Sequence, residues 1–132
     1  NYFLEKRLTR FSNWKVQSQY KYIFCPSGKG LDDPRIYESI ILGNIPIRIE
    51  DQLSKFHKGL PIINIKTVDD LNLEFINSKF LNFDNQKFDF QKLFLDYWRK
   101  NLDLEYEHDT KNFVDITIEE FRTNIIKFYI NN

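Results

Sequence analysis

The chain has 132 residues and a mass of 16.1 kDa, one domain's worth, and its 42% hydrophobic and 29% charged residues exclude both a disordered tail and a fibrous repeat. Nineteen Lys and Arg balance nineteen Asp and Glu, and zero net charge argues against a dedicated DNA or RNA binder, whose affinity comes from neutralised phosphates. A single cysteine, Cys25, excludes an internal disulfide and any zinc site with two Cys ligands.

Met and Ala are absent, while Ile, Asn, Lys and Phe supply 55 of the 132 residues, a bias of AT-rich coding sequence that strips Asn-rich stretches of chemical weight. The missing initiator Met leads us to expect a piece of a longer chain. No apolar run approaches the roughly 18 to 20 residues of a membrane span, and no signal peptide is legible. The default compartment is cytoplasmic, with a secretory lumen open should a targeting segment lie upstream.

In chain order, Leu4, Leu8 and Phe11 at i, i+4, i+7 predict a first helix. The run Tyr20-Lys21-Tyr22-Ile23-Phe24-Cys25 predicts a strand ended by Pro26-Ser27-Gly28. A short helix follows, with Asp33 as its cap, Pro34 at its first position and Gly43 just past its end. Pro46-Ile47-Arg48-Ile49 and Pro61-Ile62-Ile63-Asn64-Ile65 read as two more strands, with a helix over 51–58 between them. Thr67-Val68-Asp69-Asp70 has capping-box spacing and predicts a helix running toward Phe80. Phe90, Leu93, Phe94 and Tyr97 predict an amphipathic helix over 89–100, and the polar, acidic stretch 101–112 a solvated loop. Thr117-Ile118-Glu119-Glu120 is a second capping box, ahead of a buried stripe of Phe121, Ile125 and Phe128. Strands alternating with helices predict an α/β fold: a Rossmann-like half-domain with a small parallel sheet near 20–25, 45–49 and 61–65, flanked by helices, with extra helices at the C-terminal end.

One segment carries chemistry. In open α/β sheets ligands sit beyond the carboxyl ends of the strands, and the free N–H groups and dipole of a helix start favour phosphate there. Ser27, Gly28, Lys29 and Gly30 form a loop between the first strand and its helix, and the two glycines let a ligand approach the backbone closely. Arg35 offers a permanently charged fork suited to a diphosphate. Helical spacing groups Ile36, Tyr37, Ile40 and Ile41 toward the sheet, and Arg35, Glu38, Ser39 and Leu42 on the other side. A cation and a carboxylate presented together suit a nucleoside diphosphate, the carboxylate accepting two ribose hydroxyls. The plain alternative is an i, i+3 surface ion pair between Arg35 and Glu38. Gly28-Lys29-Gly30 lacks the spacing of a Walker loop, and Asp33 occupies the third glycine position of the dinucleotide fingerprint, so ATPase and NAD-dehydrogenase readings lose their support.

Beyond this segment, bland readings prevail. Cys25 reads as a small buried hydrophobe, His57 as a surface residue of the 51–58 helix, and His108 as part of the acidic loop. Asp32 and Asp33 read as turn and cap residues. Tyr97 and Trp98 could stack on a sugar but read as core on their helical stripe. Asp103, Glu105, Glu107 and Asp109 lack the glycine and spacing of a calcium loop and read as solvated, so no metal is expected.

Residues 20–50 resemble the donor-binding segment of GT-B glycosyltransferases, most closely the exostosin-like group. The resemblance is carried by Lys21-Tyr22, by Pro26-Ser27-Gly28-Lys29-Gly30-Leu31-Asp32, by Arg35-Ile36-Tyr37-Glu38, by Gly43, and by Ile45-Pro46-Ile47. Leu60-Pro61-Ile62-Ile63-Asn64-Ile65 and the acidic helix start after it extend the likeness to about residue 80. One position departs from the pattern, Pro34, where many relatives carry His. The resemblance implies a metal-independent glycosyltransferase without a cofactor, taking a nucleoside-diphosphate sugar as substrate. Glu38 would meet the ribose, Arg35 the diphosphate, and the stretch from Ser27 to Gly30 the phosphates or sugar, with Asp33 beside them. It further implies that the chain is the C-terminal part of a two-domain protein, a single α/β domain over 1–132, inactive alone. The catalytic base and much of the site for an acceptor glycan, protein or lipid would lie in an N-terminal domain. The alternative, motivated by Pro34, is a non-catalytic nucleotide- or glycan-binding module derived from a transferase.

Overall fold

A computed structural model describes residues 9–26 and 34–131. Its order is α1 (Arg10–Gln17), β1 (Tyr22–Phe24), α2 (Pro34–Ile41), β2 (Ile45–Ile49), β3 (Ile63–Ile65), α3 (Leu73–Lys79), α4 (Leu95–Asn101) and α5 (Ile118–Asn131), with short 3-10 turns between them. The fold is α/β: an open, parallel, three-stranded sheet ordered β1-β2-β3 and flanked by helices, as in a Rossmann-like half-domain. Among the described residues no helix is long and apolar enough to cross a membrane.

The central strand carries Pro46, which cannot donate to a ladder. Register explains why it is tolerated. The N–H of Ile45 points to β1, bonding Lys21 O at 2.8 Å, and that of Glu50 points to β3, bonding Ile65 O at 2.8 Å. Alternation therefore aims position 46 at the β3 side, one residue before pairing begins at Ile47↔Ile63. On one face of the sheet Ile45, Ile47, Ile63 and Ile65 are buried and join Phe90, Phe121 and Phe113 in one core. Phe90 and Phe121 stack at 4.2 Å between centroids, and an antiparallel bridge between Phe88 and Ile116 ties the start of the C-terminal part to its last helix. On the other face Ile23, Cys25, Pro46, Arg48 and Asn64 alternate with these.

Several elements differ from expectation. Leu4 and Leu8 lie outside the described residues; α1 starts at Arg10 behind Thr9, whose hydroxyl accepts from Ser12 N, and Phe11 is 75% exposed. The Thr67–Asp70 capping box is present but closes only a 3-10 turn over Val68–Asp70. Asn72, in extended backbone, caps a second start by accepting from Phe75 N at 2.8 Å. The 89–100 helix is broken at Phe94: a 3-10 turn spans Phe90–Leu93, Phe94 is extended, and α4 follows. Its two rings answer to different partners, Phe90 to Phe121, and Phe94 to Phe113 and Phe128. The 51–58 helix shrinks to a 3-10 turn over Ser54–His57.

Candidate functional site

The carboxyl end of β1 leads through Cys25 and Pro26, both described, to α2 across a segment outside the described residues. Ser27, Gly28, Lys29, Gly30, Asp32 and Asp33 fall in that segment. Arg35 and Glu38 are described. The Arg35 guanidinium is exposed at the sheet edge and donates to Pro26 O at 3.2 Å, so its charge sits at the end of β1 beside the start of α2. Pro34 at the first helical position has no N–H to lend to an anion.

Glu38 does something the spacing did not indicate. Its ionic partner is Arg10 of α1, not Arg35, and its second oxygen accepts the indole N–H of Trp14 at 3.1 Å. The Arg10 guanidinium also lies 5.0 Å from the Trp14 ring centroid. Glu38 thus fastens α1 across the outer side of α2. The two faces of α2 are also rotated from the expected ones: Ile36, Ser39 and Ile40 are buried, whereas Ile41 is exposed. Ser39 tolerates burial because its hydroxyl donates to Arg35 O at 2.6 Å, with Cys25 Sγ at 3.9 Å. Cys25 is buried, as expected.

No protein-family model matches this chain, and no curated protein does.

A second cluster lies on the same sheet face and was missed. His57 is 4% exposed, not a surface residue. Its Nδ1 is 2.8 Å from Arg48 Nη1, its Nε2 is 3.2 Å from the Tyr37 hydroxyl, and Arg48 Nη2 pairs with Asp51. A guanidinium carries donors only, so Nδ1 accepts; the imidazole is neutral and its proton sits on Nε2, donated to Tyr37. The chain Tyr37–His57–Arg48–Asp51 therefore links α2, the Ser54–His57 turn and β2. Arg48 Nε and the Oδ1 of its cross-strand neighbour Asn64 are both buried without a partner, a donor beside an acceptor. The missed signal was Arg48 itself: an arginine inside Ile-Pro-Ile-Arg-Ile must find acceptors nearby, and Asp51 and His57 follow three and nine residues later.

His108 is likewise partnered. Its Nδ1 lies 3.2 Å from Asp96 Oδ2, and Glu107 N donates to the other oxygen of Asp96 at 3.3 Å. Burial works to raise the Asp96 carboxyl, but these donors outweigh it and hold the group below the ordinary carboxylate value. Trp98, expected in the core, is 38% exposed.

Proposed function

We propose that this chain supplies the nucleotide-sugar donor site of a GT-B-type glycosyltransferase. The observation that supports this most directly is the Arg35 guanidinium at the carboxyl end of β1, beside the first turn of α2, in a parallel α/β sheet. A planar cation there binds both phosphates of a nucleoside diphosphate and stabilises the charge that develops as it leaves, and such chemistry proceeds without a metal. The nucleophile is an acceptor hydroxyl, deprotonated by a base from another domain. Ser27, Gly28, Lys29, Gly30 and Asp33 belong to this reading as the loop around the phosphates.

A specific observation favours the second reading, a non-catalytic module: both oxygens of Glu38 are already engaged, by Arg10 and by Trp14, so the carboxylate has a structural use that needs no ribose. The donor site that the first reading requires is tested by a thermal-shift panel with UDP, GDP, CDP and ADP. At about a hundred times its Kd a ligand adds roughly 2.7 kcal/mol, enough to raise the melting temperature by several degrees. The transferase reading expects one diphosphate to do so in the native chain, the effect vanishing in Arg35→Ala and Glu38→Gln. Arg10→Ala, which leaves the Glu38 carboxylate in place and unpaired from α1, should preserve or strengthen the shift. If no diphosphate moves the melting temperature, or if Arg35→Ala leaves the shift intact, the donor reading fails.

A further inference from the structure

Two exposed apolar patches flank α4, and they carry opposite charge. The first is a hollow of about 480 Å³ lined in part by Phe56, Leu95 and Trp98, which are 50%, 63% and 38% exposed. The second is the stretch after α4, where Leu102, Leu104 and Tyr106 are 69%, 57% and 45% exposed. We propose that this stretch of one copy docks in the hollow of a second copy, so that the chain self-associates head to tail.

Three observations carry this. First, the charges are complementary. Asp103, Glu105 and Glu107 alternate with the three apolar side chains, and among the described residues none of these acids is in an ion pair. Lys92 lines the hollow, and the exposed Lys55 and Lys58 flank Phe56 and His57 in its wall. Lys92 Nζ donates to Lys58 O, and Lys55 Nζ lies 5.1 Å from the Phe56 ring centroid, but neither contact cancels a charge. Among the described residues no carboxylate lines the hollow, and Asp51, just before Leu53 of its wall, is paired with Arg48. An acidic apolar segment thus matches a basic apolar hollow. Second, the segment is already shaped for contact. Leu104 N donates to Arg99 O at 2.8 Å, Asp103 turns the chain at φ +56°, and Asp96 holds Glu107 N and His108. A segment fastened in this way loses little freedom on docking. Third, one copy cannot satisfy itself. At about 100° per residue, Leu95 and Trp98 share one flank of α4, whereas Asp96 and Lys100 lie roughly 150° around the helix. Asp96 and Lys100 are the side chains that meet the segment, Lys100 Nζ at 5.8 Å from the Tyr106 ring centroid. The segment therefore lies across α4 from the hollow of its own copy. Patches that face opposite ways do not pair mutually about one two-fold axis, so the contact is heterologous and builds chains or rings.

Sedimentation velocity of the whole chain, from about 1 μM to about 1 mM, tests this. The mean mass of the native chain should rise with concentration past that of a dimer. Raising NaCl from about 50 mM to about 500 mM should weaken the association at least threefold. Phe56→Glu in the hollow and Leu104→Lys in the segment should each stay monomeric, and both side chains are at least half exposed, so the core is untouched. Mixed in equal amounts, the two variants should form a 1:1 dimer that grows no further, because one intact hollow meets one intact segment. Lys55→Glu and Glu105→Lys, charge reversals at exposed positions, take their place should either first variant melt early. Arg35 has no part in the contact, so this proposal and the nucleotide site can fail separately. The proposal is overturned if the native chain is monomeric throughout, if a folded variant associates as the native chain does, or if the mixed variants stay monomeric. A native dimer that never grows, or an association indifferent to salt, overturns it as well.

Discussion

Arg48 is 3% exposed in the central strand, so its charge has to be met from inside the protein. Asp51 meets one nitrogen and His57 another, and the second contact fixes His57 as the neutral Nε2–H tautomer. His57→Leu should therefore cost about 1–3 kcal/mol, the usual penalty for stripping a buried donor of its acceptor. Arg48→Met combined with His57→Leu should recover much of that loss, because the donor goes with its acceptor. Urea denaturation of the two singles and the double measures this, and additive costs would show that the contact contributes nothing. Gly43 is constrained from two directions: its φ is +89°, and a Cβ there would come within 2.7 Å of the Arg122 guanidinium, which donates to Gly43 O. Gly43→Ala should destabilise by about 1–3 kcal/mol from backbone strain alone. Adding Arg122→Ala should relieve the collision but not the strain, a partial rescue readable in the denaturation midpoint.

At the scale of elements, caps were legible and lengths were not. Both capping boxes form as read, since each rests on side chains three residues apart. How far a helix runs after its cap depends on what its apolar residues find, and Phe94 shows the limit. Its spacing from Phe90 is helical, yet the two rings lodge in different parts of the aromatic core and the chain extends between them. The stretch after α4 shows the converse. Residues 101–112 look like a solvated acidic loop, but Asp96 of α4 clips them down through Glu107 N and His108. Because the folded Asp96 carboxyl is held below its unfolded value, its contribution is fully present above about pH 4 and is lost as the pH falls through the folded pKa. Asp96→Asn should thus flatten the acid limb of a stability-against-pH curve while changing little of its shape near neutrality. An unchanged acid limb in that variant would place the sensitivity elsewhere.

Over the whole molecule, the fold follows from order and pattern. Three aromatic or β-branched runs separated by helical and turn segments leave parallel pairing as the simple solution, and β1, β2 and β3 pair side by side in sequence order. The sheet is small, with two of its strands three residues long, and the helices and turns after β3 add the aromatic part of the core, through Phe83, Phe88, Phe90, Phe113 and Phe121.

What the sequence determined by itself was local: the strand runs, the caps at Thr67 and Thr117, the glycine after α2 at Gly43, the buried Cys25, and the stripe of Phe121 and Ile125. Each of these is set by residues within about one turn or one strand, where backbone sterics and short hydrogen bonds dominate. The tertiary structure decided every pairing over a distance. Glu38 reads as the neighbour of Arg35 but turns to Arg10, 28 residues away, because α1 lies across α2 and brings a guanidinium and an indole to the same carboxylate. His57 reads as a surface residue but is drawn inward because Arg48 needs a buried acceptor. Trp98 reads as core but stands at an opening because the helix that would have buried it breaks at Phe94. Spacing tells which side chains share a face; only the packed chain shows what that face meets.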